Sequence, residues 1–346
     1  MALTDRIFTS MVGAFDLLAI HAGDRLGWYA ALAERGPCTA GELAAATDTD
    51  ERYTREWLEH QAVGGWLAVD AERRYSLPAE HAEALLDRDS LDYAAPMARA
   101  FASCAAVLPQ ALDAYRTGGG VPWSAFGTEG VEAQADTNRP LALTVLAREW
   151  LPAIADVHER LSRPGARVAD VACGGGWSSI GIAQAYPEAR VDGYDVDDES
   201  VALARTNAAA AGVDDRVAYH VLDAAGGASP EGGYDLVLVL EAVHDMARPV
   251  DALRTMRGLA AEDGTVIVVD ERCAETFTAP GDERERALYG FSLFCCLLAG
   301  RSETPSAATG TVMRPDTLRG YAREAGFTDV EILPIEDDVF RLYRLV

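Results

Sequence analysis

The chain has 346 residues, enough for two domains that each bury a core without disulfide or metal staples. Hydrophobic residues make up 49% and charged residues 25%, which excludes a disordered or membrane-embedded chain. Against 30 Lys and Arg stand 55 Asp and Glu, a formal net charge of −25 that repels a polyanion and argues against nucleic acid as a partner.

The first 28 residues show no basic region ahead of an apolar core and no small-residue cleavage site, and charges break every apolar run before it could span a bilayer. A cytoplasmic protein with no membrane contact is expected. The six cysteines, Cys38, Cys104, Cys173, Cys273, Cys295 and Cys296, form no C-x-x-C pair, so reduced thiols and no metal site are expected.

Apolar residues recur at helical spacing from Ile7 to Leu32 and from Tyr93 to Tyr115, and the stretch between resembles a winged helix. Thr39 and Glu42 make a capping box for a helix to about Ala46. After TDTD (47–50) comes a second helix whose Tyr53, Trp57, Leu58 and Val63 can share one face, closed by Gly64 and Gly65. WLAVD and RRYSL around the tip Ala71-Glu72 read as a two-stranded wing. Eight acids against four arginines in this module disfavour DNA reading and favour dimerisation together with a wall of a substrate pocket.

Residues 117–130 are rich in Gly and Pro and end the N-terminal block, with Trp123 and Phe126 either facing a ligand or pinning the loop. A long helix is predicted from about Leu141 to Leu161, stopped by Pro164-Gly165. The predicted organisation is a helical winged-helix-like domain over 1–130, a connecting helix over 131–165, and a second domain over 166–346.

From Arg167 onward, Val-rich runs alternate with Ala-rich helical stretches. Strand candidates are 167–172, 189–196, 216–222, 234–243 and 265–271, with two more near the end. Continuous apolar runs between helices imply a parallel sheet covered on both faces, a doubly wound α/β domain.

The strongest local motif is VADVACGGG (168–176), a strand entering a Gly-rich turn that opens a helix, where backbone N–H groups and the helix dipole can meet a ligand. Asp195, at the end of the next strand and 19 residues after Gly176, is placed to accept both ribose hydroxyls of an adenosine. Asp223 and the amide of Ala224 follow the third strand and can meet an adenine edge. A nicotinamide fingerprint would need a third glycine where Ser179 stands.

Together VADVACGGG, YDVDDES, HVLDA, YDLVLVLEAVHD and GLAAEDGTVIVVDE resemble the ordered motifs of class I methyltransferases. With the winged-helix-like module, the chain resembles the plant-type small-molecule O-methyltransferases and their bacterial relatives. The resemblance implies a Rossmann-like seven-stranded sheet ending in an antiparallel hairpin, matched by FTDVEILPI and VFRLYRLV, and a homodimer formed through the N-terminal domain. It implies S-adenosyl-L-methionine as cofactor, S-adenosyl-L-homocysteine as product, no metal, and a small-molecule substrate of secondary metabolism. Cofactor-binding candidates are Asp170, Cys173, Gly174, Gly176, Asp195, Val196, Asp223, Ala224 and Glu241. The family's first loop glycine is Ala172 here.

Methyl transfer to a hydroxyl needs a base, and the resemblance implies His244 in that role, with Asp245 orienting and Glu271 steering the ring; Asp270 can substitute for Glu271. The family's other supporting carboxylate, before the helix that starts at Pro315, is replaced by Val312. Residues 276–311 form an insertion expected to cover the pocket, where Tyr289, Phe291, Phe294, Cys295 and Cys296 either shape specificity or pack as a lid core. Open alternatives are C-methylation, with a metal near His244 and Cys295 or Cys296, a non-methylating use of the cofactor, and a cofactor-sensing regulator.

Overall fold

The computed structural model describes residues 2–226 and 232–346, and the chain divides into two compact units. One comprises Met1–Ala105 with Glu132–Pro140, the other Ala106–Val131 with Leu141–Val346.

In the first unit, helices Leu3–Arg25, Trp28–Arg35, Ala40–Thr47 and Glu51–Val63 precede an antiparallel hairpin of β1 (Ala68–Val69) and β2 (Tyr75–Ser76). The capping box forms: Thr39 N–H donates to Glu42 Oε2 at 2.8 Å, and Glu42 N–H donates to Thr39 Oγ1 at 3.3 Å. Asp50 caps the next helix by accepting from Arg52 and Tyr53 N–H. Trp57 and Leu58 bury against Trp28, Leu32 and Leu43, whereas Tyr53 and Val63 are 76% and 91% exposed, correcting their predicted place on the same face. The buried stripe is instead Thr54, Trp57, Leu58 and Gln61, the i, i+3, i+4, i+7 set that one helix face allows.

The predicted boundaries also change. Glu132–Pro140 belongs to the first unit because ion pairs hold it there: Arg25 to Glu132 at 2.7 Å, Arg99 to Asp136 at 2.8 Å and Arg139 to Asp89 at 2.7 Å. Residues 106–131 belong to the second unit, where Val121 N–H donates to the Leu298 carbonyl at 2.9 Å and Arg301 donates to that of Gly118 at 2.5 Å. Gly120 is required in that strap, since a Cβ would lie 2.3 Å from the Leu298 carbonyl oxygen. Phe126 is buried and stacks on Trp123, so the pair pins this loop. The predicted single helix over 141–161 is instead a π-helical run Leu141–Trp150, a turn Leu151–Ala153 and a helix Ala155–Leu161, broken at Ile154 just after Pro152.

The second unit holds a sheet of β3 (Arg167–Val171), β4 (Arg190–Asp195), β5 (Val217–Val221), β6 (Tyr234–Leu240), β7 (Ala260–Glu271), β8 (Val330–Ile332) and β9 (Phe340–Leu345). Their order is β5-β4-β3-β6-β7-β9-β8; the first five are parallel, and β9 pairs antiparallel with both β7 and β8. Val171, Val237, Val239, Val266 and Val268 make the sheet's contribution to a core packed on helices Pro249–Leu259 and Pro315–Ala325 through Leu253, Met256, Leu318 and Ala322. Chain order reverses between neighbouring β3 and β6, which opens a crevice at their carboxyl ends, the place where doubly wound sheets bind ligands.

Candidate active site

The loop after β3 carries three left-handed residues, Ala172 at φ 56°, Gly174 at φ 51° and Gly176 at φ 81°. Gly176 also has no space for a side chain, because a Cβ would lie 2.4 Å from the Tyr219 hydroxyl, which donates to the Gly176 carbonyl at 3.0 Å. The helix Trp177–Ala185 starts directly after this turn. Asp170 braces it: its Oδ2 accepts from the Ser178 and Ser179 hydroxyls, both at 2.6 Å. Its buried Oδ1 has no hydrogen-bond partner, and burial lifts the carboxyl to about 6 against the two serine bonds.

Asp195, at the end of β4, accepts from Gly174 N–H at 2.8 Å and from Asp197 N–H at 2.9 Å, locking the glycine loop to the neighbouring strand. Each carboxylate oxygen keeps a further lone pair. Val196 beside it is exposed, whereas the Cys173 thiol is buried and pushed well up by that burial, which makes it inert. Asp223 accepts from Ala225 N–H at 2.7 Å and from Arg248 Nη2 at 2.8 Å, while Arg248 Nη1 donates to the Ala225 carbonyl at 2.8 Å. Ala224 is half-buried against the core. Sequence reasoning missed Arg248, which clamps the loop after β5 from a different loop and carries no motif. Glu241, just past β6, also sits in the left-handed region at φ 52°, its N–H donating to the Val269 carbonyl at 2.8 Å.

His244 follows in the same loop and is 2% exposed. Its Nδ1 lies 2.8 Å from Asp270 Oδ1 and 3.0 Å from Glu271 Oε2, so both acids at the end of β7 flank one nitrogen, where sequence reasoning had treated them as alternatives. Burial alone would push the imidazole down, but Glu271 and Asp270, with hydrogen bonding to Asp270 and Cys296, hold it well above its ordinary value. Burial likewise raises the Glu271 and Asp245 carboxyls, against the pull of His244.

Cys296 lies in the π-helical segment Ser292–Cys296, between helices Glu283–Phe291 and Leu297–Gly300. Donor atoms of His244, Asp245 and Cys296 lie within 4.8 Å of one another, as do those of His244, Asp270 and Glu271. Hydrogen bonding from Cys295 and from His244, with the imidazole charge, outweighs burial and holds the Cys296 thiol well below its ordinary value. These donor types also serve divalent cations. Elsewhere on the insertion, Tyr289, Phe291 and Phe294 are exposed, so they form no lid core, and half-buried Arg314 pairs with buried Glu285 at 2.7 Å to pin its first helix.

Residues 168–264 match the family described as a methyltransferase domain, and residues 14–88 match an Rv2258c-like winged HTH domain. The chain carries a methyltransferase domain behind a winged-helix domain. Ajmaline N-methyltransferase of Rauvolfia serpentina is 30% identical over 136 residues, covering 37% of this chain and 46% of that protein. Ubiquinone biosynthesis O-methyltransferase of Bordetella avium is 33% identical over 130 residues, covering 37% of this chain and 50% of its own. The chain thus spans about half the length of these relatives. The fold extends further: the structure of mitomycin 7-O-methyltransferase MmcR has TM-score 0.73 at 20% identity, covering 99% of this chain and 97% of its own. PigF with S-adenosylhomocysteine has TM-score 0.76 at 21% identity, covering 100% and 99%. Human N-acetylserotonin methyltransferase in complex with S-adenosylmethionine has TM-score 0.70 at 17% identity, covering 100% and 98%.

The crevice of the methyltransferase domain fits S-adenosylmethionine on its own chemistry. The unpartnered Oδ1 of Asp170 suits an ammonium, Gly174 and Gly176 let backbone approach closely, and Asp195 retains acceptor capacity for hydroxyls. Among the described residues, no helix is long and apolar enough to cross a membrane.

Proposed function

We propose that the protein is a cytoplasmic S-adenosylmethionine-dependent methyltransferase that methylates a hydroxyl group on a small molecule of secondary metabolism. The observation that carries this reading is the buried His244 with Asp270 and Glu271 on its Nδ1, next to the crevice lined by Asp170, Gly174, Gly176 and Asp195.

When bound, S-adenosylmethionine supplies a methyl group on a sulfonium, whose neutral thioether leaves readily. The protein's part is to align the acceptor and remove its proton. Asp170 would meet the ammonium, Asp195 the ribose hydroxyls, and Asp223 with Ala224 and Val196 the adenine, in a loop held by Arg248. His244 is the centre of the base system: two carboxylates support the charge it gains when the acceptor's proton enters the site. Asp245 orients the loop, and Glu241 shapes the turn between cofactor and acceptor.

The reading includes a homodimer built through the winged-helix domain. Helix Leu3–Arg25 supports it, with Ile7, Phe8, Met11, Phe15 and Leu18 exposed as a repeating apolar stripe that can meet its own copy.

The deciding experiment is mass spectrometry of source-cell extract incubated with protein and methyl-deuterated S-adenosylmethionine, with and without chelator. A deuterated methyl group on an oxygen of a small molecule is expected, together with its loss in His244→Ala at unchanged cofactor affinity by calorimetry. Cofactor binding without any label would refute the transfer.

A further inference from the structure

Asp270 stands between two neighbouring strands. In the order β6-β7-β9, the loop after β6 brings His244 to one flank of β7, and β9 lies on the other. On the first flank, Asp270 Oδ1 lies 2.8 Å from His244 Nδ1 and accepts from Glu271 N–H at 3.0 Å. On the second, Arg341 is the residue directly opposite Asp270 in the antiparallel pairing. Residues so paired leave the sheet on the same face, with Cβ atoms about 5 Å apart.

Two buried polar atoms of this pair, Asp270 Oδ2 and Arg341 Nη1, have no hydrogen-bond partner. One is an anionic acceptor and the other a cationic donor. The charge count gives a reason for a cation at this place. Donor atoms of Asp245, Asp270 and Glu271 all lie within 4.8 Å of the buried imidazole, and one imidazolium cannot balance three carboxylates withdrawn from water. The other groups facing Arg341 are the Tyr343 hydroxyl, two residues along β9, and the Cys273 thiol just past β7. Arg314, which also faces Cys273, is already paired with Glu285 at 2.7 Å.

We propose that Arg341 is a positioning residue for the transfer: its charge keeps Asp270 an ionised acceptor, and Asp270 in turn holds the proton of the His244 ring on Nδ1, leaving Nε2 to receive the proton of the acceptor hydroxyl. The proposal rests on the methyltransferase reading with His244 as base. A neutral imidazole carries its proton on one nitrogen, and the hydrogen bond made at that nitrogen selects it. With the proton on Nε2 instead, the ring has no lone pair on the side where the acceptor's proton arrives. Arg341 acts through Asp270, from a strand that no motif marks.

The test reads the ring and the turnover separately. In nuclear magnetic resonance of protein with isotope-labelled histidine nitrogens, with His244→Gln identifying the signals, the neutral His244 ring of the wild type is expected to carry its proton on Nδ1. Arg341→Gln, which keeps a polar side chain without charge, is expected to shift that signal toward the other tautomer, and Arg341→Lys to restore it. In the deuterium assay with source-cell extract, Arg341→Gln is expected to lose about tenfold in kcat at unchanged KM for S-adenosylmethionine, the effect of removing an outer partner of a functional histidine. Arg341→Lys is expected to keep most of the rate. In an Asp270→Asn background, Arg341→Gln is expected to cost nothing further, because residues acting in series are not additive.

Thermal melting shows that each variant is folded. A wild-type proton on Nε2 would overturn the proposal without any variant. So would full kcat in Arg341→Gln, a folded Arg341→Lys no faster than Arg341→Gln, or an undiminished further loss in the Asp270→Asn background. A labelled product together with a ring signal indifferent to Arg341 would overturn the proposal alone, whereas an Arg341-dependent ring signal with no label in any acceptor would overturn the methyltransferase reading and with it the use of Arg341 in transfer.

Discussion

Arg99 and Asp136 meet at 2.8 Å with side chains only 5% and 7% exposed, and the same guanidinium lies 3.0 Å from Asp24 and donates to the Tyr93 hydroxyl at 3.1 Å. Three separate stretches of the first unit are tied through one buried cation. Arg99→Ala leaves buried Asp136 to the exposed Arg88 alone and takes the guanidinium from partly buried Asp24, and is expected to cost about 3 kcal/mol. Urea denaturation checks this, and a loss below 1 kcal/mol would mean that water reaches the cluster. The double variant Arg99→Met/Asp136→Leu is expected to be less destabilised than Arg99→Ala alone.

Asp170 couples stability to pH in a definite direction. Its folded value of about 6 lies above the ordinary 3.8, so the folded state holds the proton more tightly than the unfolded chain. The contribution is full below pH 4 and is lost as pH rises through 6, about 3 kcal/mol at 1.4 kcal/mol per unit. Asp170→Asn, which keeps an acceptor for Ser178 and Ser179, is expected to flatten the unfolding free energy across this window. Cofactor affinity is expected to move oppositely, weakening as pH falls through 6, because a protonated carboxyl offers the ammonium no charge. Calorimetric titrations at pH 5 and 7.5 in the wild type and in Asp170→Asn check it; parallel curves would remove Asp170 from the cofactor's contacts.

Ala172 occupies a left-handed backbone position at φ 56°, where L residues other than glycine are disfavoured by about 1–2 kcal/mol. Ala172→Gly relieves that strain and adds unfolded-state entropy, so a net gain of about 0.5–1 kcal/mol is expected, seen as a higher melting temperature with cofactor affinity retained. A lower melting temperature would show that the Ala172 methyl group contributes more to packing than the backbone strain costs.

The stripe on helix Leu3–Arg25 leads to a change of mass. Ile7→Asp with Phe15→Asp places charge on the exposed apolar face without touching the buried Ile20. A dimer in the wild type and a monomer in this double variant are expected by sedimentation, with the helical signal of the variant unchanged. Equal masses would show that the face has another role.

Arg248→Ala removes the clamp on Asp223 and on the Ala225 carbonyl. Weaker cofactor binding is expected, about tenfold for one charge-assisted hydrogen bond set at a partly exposed site, with folding stability nearly unchanged. Calorimetry and thermal melting on the same samples separate the two effects.

Much of the second unit was legible in the residue order, because a strand buried on both faces must be a run of apolar residues. The Val-rich segments around Val168, Val237 and Val268 therefore announced themselves, as did the turn at Gly174 and Gly176 and the carboxylate at Asp195. The capping box at Thr39 and Glu42 was legible for the same local reason, since its partners are three residues apart. By contrast, the capture of Glu132–Pro140 by Arg25 and Arg99, the Arg248 clamp, the doubling of Asp270 and Glu271 on one nitrogen and the approach of Cys296 to His244 all join residues from distant segments. Hydrophobic period and glycine placement follow from neighbours along the chain, so the sequence by itself determined the α/β class and the position of the crevice. Only the tertiary structure decided which charged and nucleophilic side chains meet there, because such contacts depend on how separately formed elements pack, and no spacing in the chain encodes that distance.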